Sequence, residues 1–215
     1  MPLTVLSMAQ YLTRDVADMR KVDYDATLLV KAVKGLPLNP NSYSWVSIDG
    51  RQVKITEATK DQAMDWFAKW AADYINSLGK HRKVIVPVPS SKTTRKSPPT
   101  FRTAEIAQKI VARSINPRLF PSLRFKKEMP NSREEGGTRE AHELYPEMVL
   151  LEQLPDGELI LLDDVLTGGG HLRAAAWKLE DSGGQIETAI CCGRSLEEQL
   201  ENPFTVDEVV IDLAR

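Results

Sequence analysis

Residues 159–172, LILLDDVLTGGGHL, constrain the fold more than any other stretch of this 215-residue chain. Leu159, Ile160, Leu161 and Leu162 form an unbroken apolar run, which suits a strand buried on both faces, as in a parallel sheet. Asp163 and Asp164 follow, then Val165, Leu166, Thr167, Gly168, Gly169, Gly170 and His171, and after them a helical spacing. Glycines accept positive φ, so consecutive backbone N–H groups can turn toward one anion. A helix start adds unpaired N–H donors and the positive end of the helix dipole. Carboxylates at this point suit a sugar diol and a hydrated magnesium ion, which prefers oxygen ligands and keeps its waters. Strand, acid pair, glycine loop and helix start, in that order, make a seat for a phosphorylated sugar. The alternative is a plain strand–turn–helix connection with solvated acids.

The flanking chain alternates strands and helices. Residues 84–88 (VIVPV) read as the first core strand, 103–115 as a helix closed by Asn116-Pro117, and 119–125 as a further strand. Residues 186–192 and 206–213 read as strands after the helix that follows the glycine loop. This alternation predicts an α/β fold with a mainly parallel central sheet flanked by helices. The clearest helix spans 59–78, with Ala63, Phe67, Trp70, Tyr74 and Leu78 on one face and Thr59 and Gln62 spaced as a capping box. Residues 1–58 are mixed: a short helix over 24–33 ended by Lys34-Gly35, a loop, and a hairpin over 44–55 turning at Asp49-Gly50. They are expected to form a small accessory or hood element on a main domain spanning 59–215.

Charge and cysteine usage narrow the function classes. The formal net charge is −2, so bulk charge predicts neither nucleic-acid nor membrane binding. Cys191 and Cys192, the only cysteines, are adjacent, which gives neither a disulfide framework nor a zinc spacing. The first twenty residues lack a basic start followed by a long apolar run, and no stretch is apolar enough to span a bilayer, so a cytoplasmic protein is expected. Residues 80–102, by contrast, hold seven Lys and Arg and no acid. A basic loop at the carboxyl end of a buried strand lies where open α/β sheets bind ligands. Residues 126–145 form a long polar loop with Gly136-Gly137, and such loops in compact domains are functional or disordered.

The stretch 159–171 resembles the phosphoribosyl pyrophosphate (PRPP) motif of type I phosphoribosyltransferases: an apolar strand, two acids, two apolar or small residues, then a Thr/Ser/Gly phosphate loop. Within that family the chain is most similar to ComF-like phosphoribosyltransferases, through VIVPVPSS at the first core strand, FRTAEIA at 101–107 and TREAHELY at 138–145. The resemblance covers roughly residues 25–195. It departs in three places: the N-terminal zinc-binding cysteine cluster frequent in that branch is absent, Gly168 stands where a second Thr is usual, and His171 where Thr or Ser is usual.

The resemblance implies a type I phosphoribosyltransferase-like fold and an enzyme that transfers ribose 5-phosphate from PRPP to a nitrogen acceptor, a nucleobase or related amine, with magnesium as cofactor and release of pyrophosphate. It implies roles for particular residues. Asp163 and Asp164 hold the ribose hydroxyls and, through water or ribose, the metal. Thr167, Gly168, Gly169, Gly170 and His171 cradle the 5′-phosphate. Ser90, Ser91 and Lys92 touch the pyrophosphate, with Lys92 among the catalytic group. Arg133, Arg139 and His142 are contacts from a loop that closes over the reaction centre. A homodimer is compatible with this. The alternative from another class is a non-catalytic PRPP-sensing regulator that binds nucleic acid through residues 80–102; a nucleotide hydrolase on the same fold is a third.

His171 generates a prediction of its own. A phosphate beside an imidazole favours the charged ring and raises its pKa above the ordinary value of about 6.5. Binding that takes up a proton strengthens as pH falls. PRPP or a 5′-phosphate should therefore bind tighter near pH 6 than near pH 8, and His171→Thr should flatten that profile while keeping most of the affinity at pH 8. Identical titration profiles for the two proteins would show that the imidazolium plays no part.

Overall fold

A computed structural model describes residues 2–13, 18–48, 50–79, 81–130 and 140–215. Its centre is a six-stranded sheet formed by β1 (Pro2–Leu12), β4 (Lys83–Pro87), β5 (Pro117–Leu119), β8 (Glu158–Leu166), β9 (Ile186–Leu196) and β10 (Asp207–Asp212). The spatial order is β10-β1-β9-β8-β4-β5. Every pairing is parallel except β1 with β10, which is antiparallel at the sheet edge. The expected mainly parallel sheet flanked by helices is what the chain forms.

Two apolar layers follow from the period of two along each strand. On β8, Leu159 and Leu161 face the layer that holds α5 (Gly170–Glu180), while Ile160 and Leu162 face the layer of α1 (Lys21–Val33), α2 (Lys60–Ser77) and α3 (Arg102–Val111). Cys191 and Cys192 are adjacent on β9 and so fall into opposite layers, both buried. A two-stranded ribbon of β6 (Leu123–Phe125) and β7 (Met148–Leu150) and the short helix α4 (Ala141–Leu144) complete the α5 side. The hairpin of β2 (Ser44–Ile48) and β3 (Arg51–Ile55) packs Val46 and Ile55 into the α1–α2 layer. Ser44 Oγ donates to the Asp25 carbonyl at 3.2 Å, which ties the hairpin to α1.

Three local expectations differ from what forms. Residues 2–12 are a strand inside the sheet rather than part of an element ahead of it, so only α1 and the hairpin of residues 1–58 stand off the sheet. Ser7 and Gln10 are buried on β1 and interrupt its apolar pattern, and both partner strands lie far along the chain. The capping box pairs Thr56 with Thr59, not Thr59 with Gln62, because a turn of 3-10 helix over Glu57–Thr59 precedes α2. Residues 119–125 do not make one strand: β5 ends at Leu119 and β6 begins at Leu123. Among the described residues no helix is long and apolar enough to cross a membrane.

The height of α1 over the sheet is set by a missing side chain. A Cβ placed on Gly193 of β9 would lie 2.6 Å from Val30 Cγ2 of α1 and 3.3 Å from Tyr11 Cδ1. Gly193→Ala should therefore cost about 1–3 kcal/mol in urea unfolding, the usual penalty for overpacking. Val30→Ala removes the clashing methyls, so a double-mutant cycle should recover part of that loss as a coupling energy. Additive losses would show that α1 does not seat on Gly193.

Candidate active site

The carboxyl ends of β4 and β8 lie side by side, with Pro87 paired to Leu162. Val88 N–H continues the pairing by donating to Leu162 O at 2.8 Å. The chain after β4 therefore turns beside the acid pair that follows Leu162 within β8. Thr93 N–H donates to Ser90 O at 2.8 Å, and Ser90 Oγ bonds Thr93 Oγ1 at 2.8 Å, which closes that turn. Thr103 Oγ1 on α3 donates to Val88 O at 2.6 Å and fixes the strand end from the helix side.

On β8, Asp164 N–H donates to Asp163 Oδ1 at 2.7 Å. Burial, then the neighbouring Asp164 charge, hold Asp163 well above the ordinary carboxylate range, against the opposing pull of the Asp164 N–H and Lys34. Lys34 Nζ reaches Asp164 Oδ1 at 3.3 Å. Burial works against the Lys34 charge, but Asp164, Tyr11 and Asp163 together outweigh it, and the ammonium ends above its usual range. Cys191, paired to Asp163 across β9, is pushed up first by burial and then by the two aspartates, so it is an inert thiol.

The glycine loop runs straight into α5. Gly169 occupies the N-cap position with φ 75°, in the left-handed region, and no side chain caps the helix there. A Cβ at Gly169 would stand 2.8 Å from Ile211 Cδ1 of β10, whereas Gly168 faces open space. Gly169 is thus required twice, by its backbone angle and by its neighbour. Thr167 and Gly168 are exposed, and the His171 ring meets Phe125 edge-on at 6.0 Å.

These pieces share one cleft of about 700 Å³. Ser90, Ser91, Asp163, Asp164, Thr167 and His171 line it, as do Tyr11 of β1, Lys31 and Lys34 of α1, and Phe101 and Arg102 at the start of α3. Lys92 stands exposed in the same turn as Ser91, outside that lining. His142 is exposed and stacks on Trp177 at 5.9 Å, also away from it. Arg133 and Arg139 lie outside the described residues. Sequence reasoning did not find Lys34, Tyr11 or Arg102 as site residues. Lys34 and Asp164 are far apart in the chain and no local pattern joins them; only the helix-ending Lys34-Gly35 pair marked the position.

No protein-family model matches the chain, and no curated protein matches it. Among solved structures it is similar to the adenine phosphoribosyltransferase of Thermoanaerobacter pseudethanolicus, at 16% identity over 71% of this chain and 83% of that one, with a TM-score of 0.39. It is also similar to an APRTase of Giardia lamblia complexed with 9-deazaadenine, at 15% identity over 82% of this chain and 98% of that one, with a TM-score of 0.41.

The strained acid pair predicts a trade between stability and site chemistry. A carboxyl whose pKa is raised by folding binds its proton more tightly in the native than in the unfolded state. Its contribution to stability is therefore fully present below the unfolded value, near 3.9, and is lost as pH rises from there through the raised native pKa. Asp163→Asn removes that charge and keeps an oxygen for the Asp164 N–H. It should raise the Tm of the ligand-free protein at pH 7, with the gain shrinking as pH falls toward 4. A lower Tm at neutral pH would mean that the Asp163 charge is stabilising.

Proposed function

We propose that the cleft binds PRPP with magnesium and transfers its ribose 5-phosphate to a nitrogen acceptor, a nucleobase or related amine, releasing pyrophosphate. One observation carries this: two segments far apart in sequence, one with Ser90 and Ser91 and the other with the acid pair and the two ends of the glycine loop, Thr167 and His171, line a single cleft. The chain would then act as a type I phosphoribosyltransferase of ComF-like character.

The distribution of donors suits the parts of such a substrate. The loop of Thr167, Gly168, Gly169, Gly170 and His171 offers backbone N–H groups and the start of α5 to the 5′-phosphate. Asp163 and Asp164 accept hydrogen bonds from the ribose hydroxyls. Ser90 and Ser91 give hydroxyl and backbone donors to the pyrophosphate, with exposed Lys92 next to them as a further cation. Arg133 and Arg139 keep the proposed role of contacts from the closing loop, and His142 would join them only by leaving its stack on Trp177.

Magnesium fits the acid pair as a donor set, because the ion binds through one or two carboxylates and substrate phosphates while keeping waters. Among the described residues no cluster of three or more His, Cys, Asp or Glu is gathered for a metal; Asp163 and Asp164 are the residues that would hold magnesium, through water or ribose. When bound, magnesium neutralises and orients the pyrophosphate. In the reaction the bond from the anomeric carbon to the pyrophosphate oxygen breaks, a bond from that carbon to the acceptor nitrogen forms, and the acceptor gives up a proton. Positive charge develops at the anomeric carbon, so catalysis rests on positioning and on electrostatics from the surrounding carboxylates.

The nucleic-acid-binding alternative asks residues 80–102 to act as one patch. In the fold they are divided by β4: Lys83 is buried and paired with Glu158, while Lys92, Arg95 and Lys96 are exposed beyond the other end of the strand. That division favours a small-molecule anion over a polyanion.

The decisive experiment incubates the protein with PRPP, magnesium and a panel of nucleobases and follows pyrophosphate release. Asp164→Asn should weaken calorimetric binding of magnesium–PRPP by roughly 10- to 100-fold, the loss of one charge-assisted contact of about 1.5–3 kcal/mol. Unchanged affinity in Asp164→Asn and in Asp163→Asn would sink the assignment. Tight PRPP binding without turnover, joined to steeply salt-dependent binding of DNA or RNA, would favour the regulator.

A further inference from the structure

Lys34 enters the cleft from an anchored position. It is the C-cap of α1. Gly35, at φ 74°, sends its N–H to Ala32 O at 2.9 Å, and Leu36 N–H goes to Lys31 O at 3.0 Å, which is a Schellman stop. Arg102 at the start of α3 donates from Nε to Val33 O at 2.7 Å and from a terminal nitrogen to Ala32 O at 3.0 Å. The helix end that carries Lys34 is therefore pinned by a second helix, and its side chain is held, half-buried, over the acid pair.

An acid pair alone would attract any divalent cation or take up a proton. The Lys34 ammonium supplies one positive charge at that spot without a metal. Its contact with Asp164 Oδ1, 3.3 Å, is long for a charge-assisted hydrogen bond, which runs at about 2.7–2.9 Å. An ammonium has three donors, and this single long contact leaves room to re-aim.

We propose that Lys34 is a built-in counter-ion and a positioning residue for the ribose-phosphate ligand. Before binding it offsets the charge of Asp163 and Asp164 and competes with free metal ions for them. On binding it turns donors toward the incoming anion, while Asp164 is released to accept from the ribose diol. This rests on the ribose-phosphate assignment given above. Two opposed effects follow: removing the charge should weaken an anionic ligand and strengthen a bare cation. A purely structural role moves both the same way or neither.

The test uses the full chain and two probes. Ribose 5-phosphate binding is measured by calorimetry, and Mn²⁺ binding without any phosphate ligand by water-proton relaxation. Lys34→Met should weaken ribose 5-phosphate by about tenfold or more and tighten Mn²⁺ by on the order of tenfold. Lys34→Gln, polar but uncharged, should behave as Lys34→Met does, and Lys34→Arg should return both affinities toward wild type. Affinities within twofold of wild type in the uncharged variants, or a fall in both probes together, would overturn the assignment. A wild-type chain that binds neither ribose 5-phosphate nor PRPP would overturn the ribose-phosphate site and the anion half of the Lys34 role, while the Mn²⁺ comparison still judges the counter-ion half.

Discussion

Two carboxylates in the C-terminal half of β8, after a stretch buried on both faces, set the central constraint of this structure. Asp163 and Asp164 follow four fully apolar residues, and Asp163 stands against Cys191 of the neighbouring strand. Such a pair repels itself and loses hydration, and burial of an unpaired carboxylate is costly. The fold does not remove the problem by substitution; it surrounds it. One backbone N–H bonds to Asp163, and one ammonium approaches Asp164 from another layer. What remains unbalanced is available to a ligand with hydroxyls or a metal shell.

Much of the α1 side follows from bringing that ammonium into place. Gly193 lets α1 sit close to β9, the Schellman stop fixes where the helix ends, and Arg102 locks that end to α3. Phe101, next to Arg102, carries the buried Arg124 guanidinium 4.5 Å from its ring centroid. Burial lowers the pKa of Arg124, and its Nε has no hydrogen-bond partner among the described residues. The aromatic wall of the cleft is thus backed by a cation that makes its polar contacts with the Pro121 and Leu123 carbonyls rather than with ligand. The cleft gains a firm wall from residues that never line it.

The sequence disclosed what is local. Four leucine and isoleucine residues, an acid pair and a glycine run form one continuous strand–loop–helix, so β8, its loop and α5 were legible together. The same holds for α2, whose aromatic stripe buries Phe67 fully, and for β4 with its trailing serines. What was not legible depends on partners distant in sequence. β1 carries Gln10 in its buried set because Gln10 Nε2 finds Thr205 O at 2.6 Å, a bond no local pattern announces, while buried Ser7 Oγ and Gln10 Oε1 have no partner among the described residues. Lys34 looked like a helix-ending lysine because its charge partner lies on β8. The basic run of residues 80–102 is not one surface: among its described residues, buried Lys83 pairs with Glu158, while Lys92, Arg95 and Lys96 are exposed beyond the other end of β4.

The glycine loop shows how a distant element can hold a segment in place. Gly168 and His171 carry no hydroxyl, so a phosphate bound as proposed would meet mainly backbone donors, and backbone donors serve only if they are held still. The C-terminal strand supplies that restraint. Ile211 of β10 fills the space where a Gly169 Cβ would be, Arg173 Nε of α5 donates to Asp212 O at 3.0 Å, and Trp177 Nε1 donates to Leu213 O at 2.8 Å. Three successive residues of one chain segment therefore fix the N-cap, first turn and second turn of α5. An edge strand that adds nothing to the cleft lining fixes how the loop enters α5. Under the proposed function, phosphate affinity would depend on the β10–α5 contact as much as on the loop itself.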